Sequence, residues 1–506
     1  MFSITNNKHF KTFLNTFFIL NGVLLLGVSS IDGLHLDELT ISWFTDGSFL
    51  DIFRRTIIRG DSYPPLGHIL IWSWKRVPCA LTSTLCLKFP SVLIGMLTYY
   101  LMSRIYKERF ENYTIFGLFS VLYFASYSTM FFLTDLKPHG IIQFLIVFFF
   151  YLEDKGNNFK YIPLIIASVM HYVVIFLIIA IAIREVFLDH KKFKISFFSL
   201  EIMKKTILYA IGPLVSFSYY LFSSYLGGSQ LTKEVFNPFI SIGKSILFIF
   251  GKDLFYLLVV VFTLLLVYFL ILNIGDLKLA TKNLFINADV FSILGIYIGF
   301  IVIIELISLT LRPISAARNL VIFSPFIFYI TACFLYELIH SISKTKVSKK
   351  SYLSLVAVSI VLVWGLNMQY MLSSSSRNEE NFSIPEAYLS YPTLVETSDL
   401  ATKVSIQLRY DIENYDYTKK IYYKSNYFLE NKYSDWVLFE SSFSTYNIEE
   451  YKDLDESIFV HYPHEFNPPV NFISTIIFLE KNKYYCEELI FEKLLKQRNA
   501  ICTKDF

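Results

Sequence analysis

Long apolar stretches, separated by short clusters of charge, fill the first three quarters of the chain. Runs of about 20 apolar residues suffice to cross a bilayer as helices. Such runs lie at 13–31, 86–105, 112–133, 139–152, 161–171, 172–188, 206–226, 254–273, 290–311, 319–340 and 351–371. The pattern predicts an all-α polytopic membrane protein with about eleven transmembrane helices.

The stretch 161–188 is one continuous apolar run, so its division near His171–Tyr172 needs separate support. Positive charges collect in the cytoplasmic loops of membrane proteins. With the N-terminus inside and eleven spans, the inner segments hold 19 Lys and Arg residues and the short outer loops hold six. A single helix over 161–188 would place the basic stretch 184–205 outside. The charge pattern therefore favours two spans.

Two segments lack the pattern of a transmembrane helix. Residues 32–85 are predicted to form the first outer loop, in which Asp37–Arg59 and Pro65–Val77 have the spacing of amphipathic surface helices. After residue 372 the sequence becomes polar and rich in Tyr. We therefore predict a membrane domain over residues 1–372 and a small extracytoplasmic α+β domain over residues 373–506.

Apolar alternation in this second domain predicts its elements. Strands are expected at Lys420–Leu429, Ser457–Tyr462 and Ser474–Leu479, and a helix is expected at Glu487–Arg498. Cysteines fall on the predicted outer side in two pairs, Cys79 with Cys86 and Cys486 with Cys502. An oxidising compartment permits a disulfide in each pair, and free buried thiols are the alternative.

Composition agrees with a membrane protein, because 54% of the residues are hydrophobic and only 17% are charged. Soluble domains contain about 25% charged residues. The formal net charge of +3 is too small to indicate a nucleic-acid partner. Against this apolar background, the adjacent carboxylates Asp37 and Glu38 at the water edge of the first span indicate chemistry, because carboxylates are costly near hydrocarbon.

The order of short motifs around these carboxylates resembles a known family. They read His35-Leu-Asp-Glu38, Tyr63-Pro-Pro-Leu66, Lys88-Phe-Pro-Ser91 and Arg104-Ile-Tyr-Lys107. This order, with its membrane sidedness, resembles the GT-C superfamily of membrane glycosyltransferases. The similarity is greatest to the protein O-mannosyltransferase and aminoarabinose transferase branch, whose donors are polyprenyl-phosphate sugars.

Two later stretches also resemble this branch. Asp135-Leu-Lys-Pro-His139 is similar to its short second outer loop, and Arg318-Asn-Leu320 is similar to the stretch that opens a late span. The chain departs from the branch at four positions. Tyr63 stands where Lys or His is common, His139 and Asn319 stand where an aromatic residue is usual, and Lys88 stands where Arg is common.

The resemblance implies catalytic roles for three carboxylates. Asp37 is the expected general base for an acceptor hydroxyl, and its alternative role is to interact with a helix dipole. Glu38 points about 100° away on a helix, so it is expected to orient a substrate or a metal. Asp135 is a second acidic residue that touches the acceptor or a divalent metal, or it forms a surface ion pair with Lys137.

The resemblance also implies a substrate-binding set. Lys137 and Arg318 are expected to hold the donor phosphate, and snorkelling to the membrane interface is their alternative role. By the same resemblance, His139 and Tyr63 are expected to bind substrate. His171, at a span junction, is interpreted as structural. No cofactor is certain, and the need for a divalent metal stays open.

The function implied is an inverting glycosyltransferase of the cytoplasmic (inner) membrane. Its donor would be a polyprenyl-phosphate sugar, and its acceptor a lipid-linked glycan, lipopolysaccharide or another surface polymer. Protein O-mannosyl transfer is the same chemistry with another acceptor. A transporter or flippase for lipid-linked glycans is a further alternative, but transporters usually have two matched halves and charges at the bilayer midplane. Here the charges collect at the outer edge and no repeat is visible.

Overall fold

Each predicted apolar run coincides with helix in the computed structural model. The structure describes residues 8–31, 38, 41, 44–45, 48–58, 64–110, 113–193, 200–227, 238–272, 288–310, 317–342, 358–369, 393–395, 421–424, 444–446, 458–462, 476–477, 479–481, 484–489 and 498–504. Everything below concerns these residues.

The helices are numbered in chain order. They are α1 Lys8–Ile31, α2 Phe49–Ile58, α3 Leu66–Lys75, α4 Pro78–Thr82, α5 Thr84–Phe110, α6 Tyr113–Ala125, α7 Tyr127–Thr134, α8 His139–Asp154, α9 Tyr161–Ser168, α10 Val174–Phe193, α11 Leu200–Gly227, α12 Pro238–Phe250, α13 Lys252–Leu272, α14 Ala288–Thr310, α15 Ala317–Leu320, α16 Ser324–Ile342 and α17 Val358–Gln369. Short 3₁₀ turns occupy Asn158–Lys160 and Val321–Phe323.

Several of these helices are suited to a bilayer by length and composition. Among the described residues, four segments qualify on their own: Thr84–Ile105, Lys252–Ile271, Val290–Leu309 and Val321–His340. The pair Thr114–Ala125 and Tyr127–Thr134 qualifies together, with a bend of 60° between its halves. The chain is therefore an all-α polytopic membrane protein, and the number of eleven crossings stays a prediction.

The bend between α6 and α7 has an identifiable cause. Ser126 leaves the helix and its hydroxyl accepts a hydrogen bond from the backbone N–H of Thr129 over 3.3 Å, which caps α7. The carbonyl of Ala125 accepts a hydrogen bond of 2.7 Å from Nδ2 of Asn367. A side chain thus compensates for the lost helical bond, and the bend is a built feature.

The apolar run 161–188 is interrupted near the expected position, because α9 ends at Ser168 and α10 begins at Val174. That both parts cross the bilayer stays a prediction. One helix differs from expectation. The charge pattern assigns residues near Lys244 to an outer loop, but Pro238–Phe250 forms α12. Gly251 joins it to α13 with a φ of +83°, a conformation that favours glycine.

Of the two surface helices predicted in the first outer loop, one is interrupted and one is present. The continuous helix predicted over Asp37–Arg59 is wrong, because Thr45 is a turn and Ser48 is not helical. The N–H of Ser48 donates to Oδ2 of Asp51 over 2.7 Å, so Ser48 marks a new helix start before α2. The helix predicted at Pro65–Val77 is present as α3.

The C-terminal strands form one sheet in the order β3-β2-β1-β4-β6-β5. The strands are β1 Thr393–Val395, β2 Ile421–Lys424, β3 Ser444–Tyr446, β4 Ile458–Tyr462, β5 Tyr484–Leu489 and β6 Arg498–Lys504. Strands β1 to β4 pair in parallel, and β6 runs antiparallel to both β4 and β5. The described strands confirm the small α+β domain.

Two predictions in this domain are wrong. The described residues of the predicted strand Ser474–Leu479 are helical, and the predicted helix at Glu487–Arg498 begins in β5 and ends in β6. Disulfides explain part of the second error, since Cys486 and Cys502 lie opposite each other in the β5–β6 pair and are bonded. Cys79 and Cys86 are also bonded, and this disulfide joins α4 to α5.

The chain divides into two compact units. The first contains Met1–Ile31, Ser62–Tyr225 and Ser229–Leu372, and the second contains Asp32–Asp61, Leu226–Gly228 and Ser373–Phe506. Part of the predicted first outer loop therefore belongs to the second unit. The predicted division into domains at residue 372 stays a prediction.

Candidate active site

A tight turn between α7 and α8 carries the acidic residue Asp135. Oδ1 of Asp135 accepts a hydrogen bond of 3.3 Å from the backbone N–H of Lys137, which is the local bonding by which Asp stabilises turns. Pro138 is the N-cap of α8, a position whose backbone N–H would have no partner within the helix. Asp135 is only 2% exposed, while Lys137 is partly exposed. The turn therefore holds a carboxylate away from bulk water.

Helix α5 fixes this turn from one side. The hydroxyl of Ser91 donates to the backbone carbonyl of Asp135 over 2.7 Å. Lys88 lies one turn earlier on the same helix, so it shares a face with Ser91, and it is completely buried. An ammonium group inside an apolar helix is costly and usually functional. Lys88 is therefore added to the candidate site as a cation on the face that meets Asp135.

Two histidines meet beside the turn. His139, the first residue of α8, stacks on Phe132 with ring centroids 4.9 Å apart. Its other neighbour is His171, in the junction between α9 and α10, with centroids 5.2 Å apart and planes at 63°. Both histidines are buried. Nδ1 of His171 accepts the N–H of Val173 over 3.1 Å, so a neutral His171 carries its proton on Nε2.

Helix α3 brings a third histidine to the same region. A Cβ on Gly67 would lie 3.0 Å from Cβ of Pro138 and 3.8 Å from Cε of Met170. The start of α3 therefore packs closely against both the Asp135 turn and the α9–α10 junction. His68, the next residue, is 3% exposed. Three elements thus converge here, and two of them bring His139 and His171 together, the side chain type that most often exchanges protons in catalysis.

A hydrogen-bonded clamp ties α8 to the start of the late helix α16. Nε2 of Gln143 donates to the carbonyl of Val321 over 3.0 Å and to the hydroxyl of Ser324 over 3.1 Å. Gln143 is four residues after His139 and shares its helix face. Arg318 lies in α15, directly before Val321, and its side chain is outside the described part. The clamp therefore brings the backbone of α15 toward the end of the molecule that holds Asp135.

Asp37 and Tyr63 lie outside the described residues. Glu38 is helical, completely buried, and belongs to the second unit. The structure thus groups Asp135, Lys137 and His139 in one unit.

The sequence leaves open whether a metal binds at Asp135. Within the described part of the chain, no three His, Cys, Asp or Glu side chains are placed to hold a metal ion together. The predicted partner Asp37 is outside that part, so the metal at Asp135 stays an open prediction.

Comparison with known proteins was informative only at the level of structure. No family model matches the sequence, and no curated protein matches it. Two crystal structures of ArnT from Cupriavidus metallidurans are similar, one in the apo state and one bound to undecaprenyl phosphate. Each has a TM-score of 0.58 and covers 97% of this chain and 98% of its own, at 8% and 9% identity respectively.

The chain has the fold of ArnT. The expectation drawn from the motif order is confirmed at this level, since the similarity extends over nearly the whole chain. Sequence reasoning did not select Lys88 or His68 as candidate site residues, and it interpreted His171 as structural. Lys88 did carry a signal, because it is an ionisable residue inside an apolar run. His171 carried none, because only the packed helices bring it to His139.

Proposed function

We propose that the protein is an inverting glycosyltransferase that uses a polyprenyl-phosphate sugar. The ArnT fold supports this proposal, and one of the two similar structures holds undecaprenyl phosphate. The single observation that carries it in this chain is the buried turn of Asp135, with Lys137 and His139 on the same turn and Lys88 on the facing helix. Donor transfer needs carboxylates and cations in one place, and this turn with its facing helix provides both kinds.

The reaction is a single displacement at the anomeric carbon. The acceptor hydroxyl oxygen forms a bond to that carbon from the face opposite the phosphate, and the bond from carbon to phosphate oxygen breaks. The electron pair leaves with the phosphate, so a phosphodiester becomes a polyprenyl phosphate monoester with additional negative charge. The hydroxyl proton passes to a carboxylate. Cations beside the phosphate therefore stabilise the transition state more than the ground state.

The carboxylates are assigned separate roles. Asp37 is the proposed base that takes the hydroxyl proton, and Glu38 orients the acceptor. Asp135, held by Ser91 and by the N–H of Lys137, orients the acceptor or binds a metal. If a divalent metal is bound, it adds positive charge beside the phosphate, and Asp135 is the residue that would hold it.

The cations are assigned to the donor phosphate. Lys137 and Arg318 hold its oxygens, and a guanidinium offers two parallel hydrogen bonds to them. His139 and Tyr63 line the sugar side of the site. The acceptor is proposed to be a lipid-linked glycan, lipopolysaccharide or another surface polymer. The reaction is assigned to the outer face of the cytoplasmic membrane, with the C-terminal domain outside.

The decisive assay follows sugar transfer in membranes that are supplied with labelled polyprenyl-phosphate sugars. Asp37→Asn keeps the shape of the side chain but removes the base, so turnover should fall about a hundredfold. Glu38→Gln should reduce turnover less. Protein abundance is measured in parallel, to separate lost chemistry from lost folding.

A cation pair provides a matched control for the donor site. Arg318→Ala should weaken donor use by about 2–4 kcal/mol, the usual loss for a cation from a partly dry phosphate site, whereas Arg312→Ala should have little effect. Equal losses in the two variants would indicate that another residue binds the donor phosphate. If labelled donor crosses the membrane with its sugar–phosphate bond intact and no glycan is formed, the protein is a transporter and the enzyme proposal is wrong.

A further inference from the structure

The C-terminal sheet has the strand order of an open, doubly wound sheet. From β1 the chain proceeds outward to β2 and then to β3, and it returns across β1 to place β4 on the other side. The neighbours β3–β2, β2–β1 and β1–β4 all pair in parallel. The direction of the connections therefore reverses between β1 and β4. In open parallel sheets, ligands bind at such a switch point, outside the carboxyl ends of the strands.

One register row crosses the sheet at this carboxyl edge. Lys424 is paired with Tyr446 between β2 and β3, and Tyr462 is paired with Arg498 between β4 and β6. The two pairs are level with each other, because the residues before Lys424 and Tyr462 share Val395 of β1 as their partner. These four residues, here called the carboxyl row, therefore lie on one face of the sheet. The β1 position of this row follows Val395 and lies outside the described residues.

The carboxyl row differs in chemistry from the opposite edge of the sheet. At that edge the first residues of β1 to β4 are all uncharged: Thr393, Ile421, Ser444 and Ile458. In the carboxyl row, Lys424 and Arg498 lie three strand spacings apart, which is roughly 14 Å between their Cα atoms, and each is paired with a Tyr. Asp and Glu outnumber Lys and Arg over residues 373–506. The two cations are therefore a local departure from an acidic domain.

The residue types of the carboxyl row favour a sugar that carries phosphate. Arg and Lys are the side chains that bind phosphate oxygens, and Tyr combines an apolar ring with a polar tip, which suits the mixed surface of a sugar ring. Nucleotide-binding sheets of this topology hold phosphate with a glycine-rich turn after the first strand. Residues 373–506 contain no glycine. Side chains must therefore hold the phosphate, and a dinucleotide is not favoured.

We propose that the carboxyl row binds a phosphorylated glycan. Lys424 and Arg498 supply the positive charge for its phosphate, and Tyr446 and Tyr462 supply rings for its sugars. The row belongs to the second compact unit, whereas Asp135 belongs to the first. The site is independent of the proposed transferase reaction, because its test measures binding without sugar transfer.

Isothermal titration calorimetry of the purified full chain tests the class of ligand. Undecaprenyl phosphate is present in excess, so that the proposed donor site is occupied throughout. Trehalose 6-phosphate, trehalose and inorganic phosphate are titrated separately. Trehalose 6-phosphate should bind at least about tenfold more tightly than either of the others, since each of them supplies only one kind of contact. Equal binding of trehalose or of inorganic phosphate would overturn the assignment, and so would tighter binding of ATP.

Charge variants with a matched control locate the site. Lys424→Gln and Arg498→Gln should each weaken the binding of trehalose 6-phosphate about tenfold, because each removes a hydrogen bond to a charged group. Lys504→Gln should leave the affinity unchanged, since Lys504 lies on the same strand and face as Arg498 but at the opposite edge. Equal losses in all three variants would indicate unspecific attraction to positive charge. That result, or full affinity in a folded Lys424→Gln or Arg498→Gln variant, would refute the site.

Tyrosine variants test the contacts to the sugar. Tyr462→Leu should weaken the binding of trehalose 6-phosphate several-fold and leave the binding of inorganic phosphate unchanged. Tyr485→Leu should change neither, because Tyr485 is 64% exposed on the other face of the sheet. Tyr446→Leu, on β3 at the end of the strand order, replaces Tyr462→Leu if the latter lowers the unfolding midpoint. A folded variant of either tyrosine that keeps full affinity for the sugar phosphate would contradict the proposal.

Discussion

Gly212 on α11 marks a close helix contact in which a single added methyl group would meet backbone. A Cβ at this position would lie 2.1 Å from the hydroxyl oxygen of Ser168 and 2.9 Å from Cα of Ile165. The hydroxyl is able to rotate away, but the backbone of α9 is not. Gly212→Ala should therefore force α11 away from α9.

The expected size of this effect follows from two opposed terms. Replacing glycine by alanine inside a helix normally stabilises it by about 0.5–1 kcal/mol. Overpacking a tight contact costs about 1–3 kcal/mol. Gly212→Ala should thus destabilise the protein by roughly 0.5–2 kcal/mol after the helix gain is subtracted from the contact cost. Gly295→Ala, where a Cβ meets no atom within 4 Å, should instead be slightly stabilising.

The assay heats each purified protein in the same detergent and measures, at each temperature, the fraction that remains monodisperse. The Gly212→Ala midpoint should lie several degrees below that of Gly295→Ala, since about 1 kcal/mol shifts the midpoint by 2–4 °C in domains of 150–250 residues. Adding Ser168→Ala should restore part of the loss. If Gly212→Ala is as stable as Gly295→Ala, the described packing of α11 on α9 is wrong.

Three further predictions concern the candidate site. Asp135→Asn keeps the acceptor for the N–H of Lys137 but removes the charge, so transfer should fall at least tenfold at normal abundance; unchanged turnover would remove Asp135 from the mechanism. Gly67→Ala should shift α3 against Pro138 by a few tenths of an ångström. Turnover should fall several-fold, while the unfolding midpoint should hardly change. A lower midpoint with unchanged turnover would contradict this prediction. Gln143→Leu removes two hydrogen bonds to the start of α16 and should cost about 1–3 kcal/mol in detergent unfolding, with a neutral result refuting the clamp.

The membrane helices were predictable because bilayer length and apolar composition leave few alternatives. The break after Ser168 was predictable as well, since the basic residues that follow demand a change of side. Helix α12 was missed because Lys244 and Lys252 made its surroundings resemble a loop. The error at Glu487–Arg498 has a different origin. Charged residues in this segment recur at helical spacing, but the pairing of β5 with β6 and the disulfide determine the structure of its two described ends.

The candidate site was only partly predictable for a geometric reason. Asp135, Lys137 and His139 are close in sequence, so a family resemblance was able to select them together. Their neighbours come from α5 and from the α9–α10 junction, which no local pattern brings together. Lys88 is the exception, because an ionisable residue in an apolar run is conspicuous in the sequence itself.

The bend at Ser126 has a consequence for the order in which the protein is made. The carbonyl of Ala125 depends on Asn367, which is 242 residues later in the chain. The side-chain amide of Gln143 likewise has its acceptor, the carbonyl of Val321, 178 residues later in the chain. While the ribosome is still synthesising the middle of the chain, these early helices lack partners for polar groups inside the bilayer. Chains that terminate before residue 321 should therefore enter the membrane but remain sensitive to quality-control proteases. The early helices obtain their last hydrogen-bond partners only when the late helices have been synthesised.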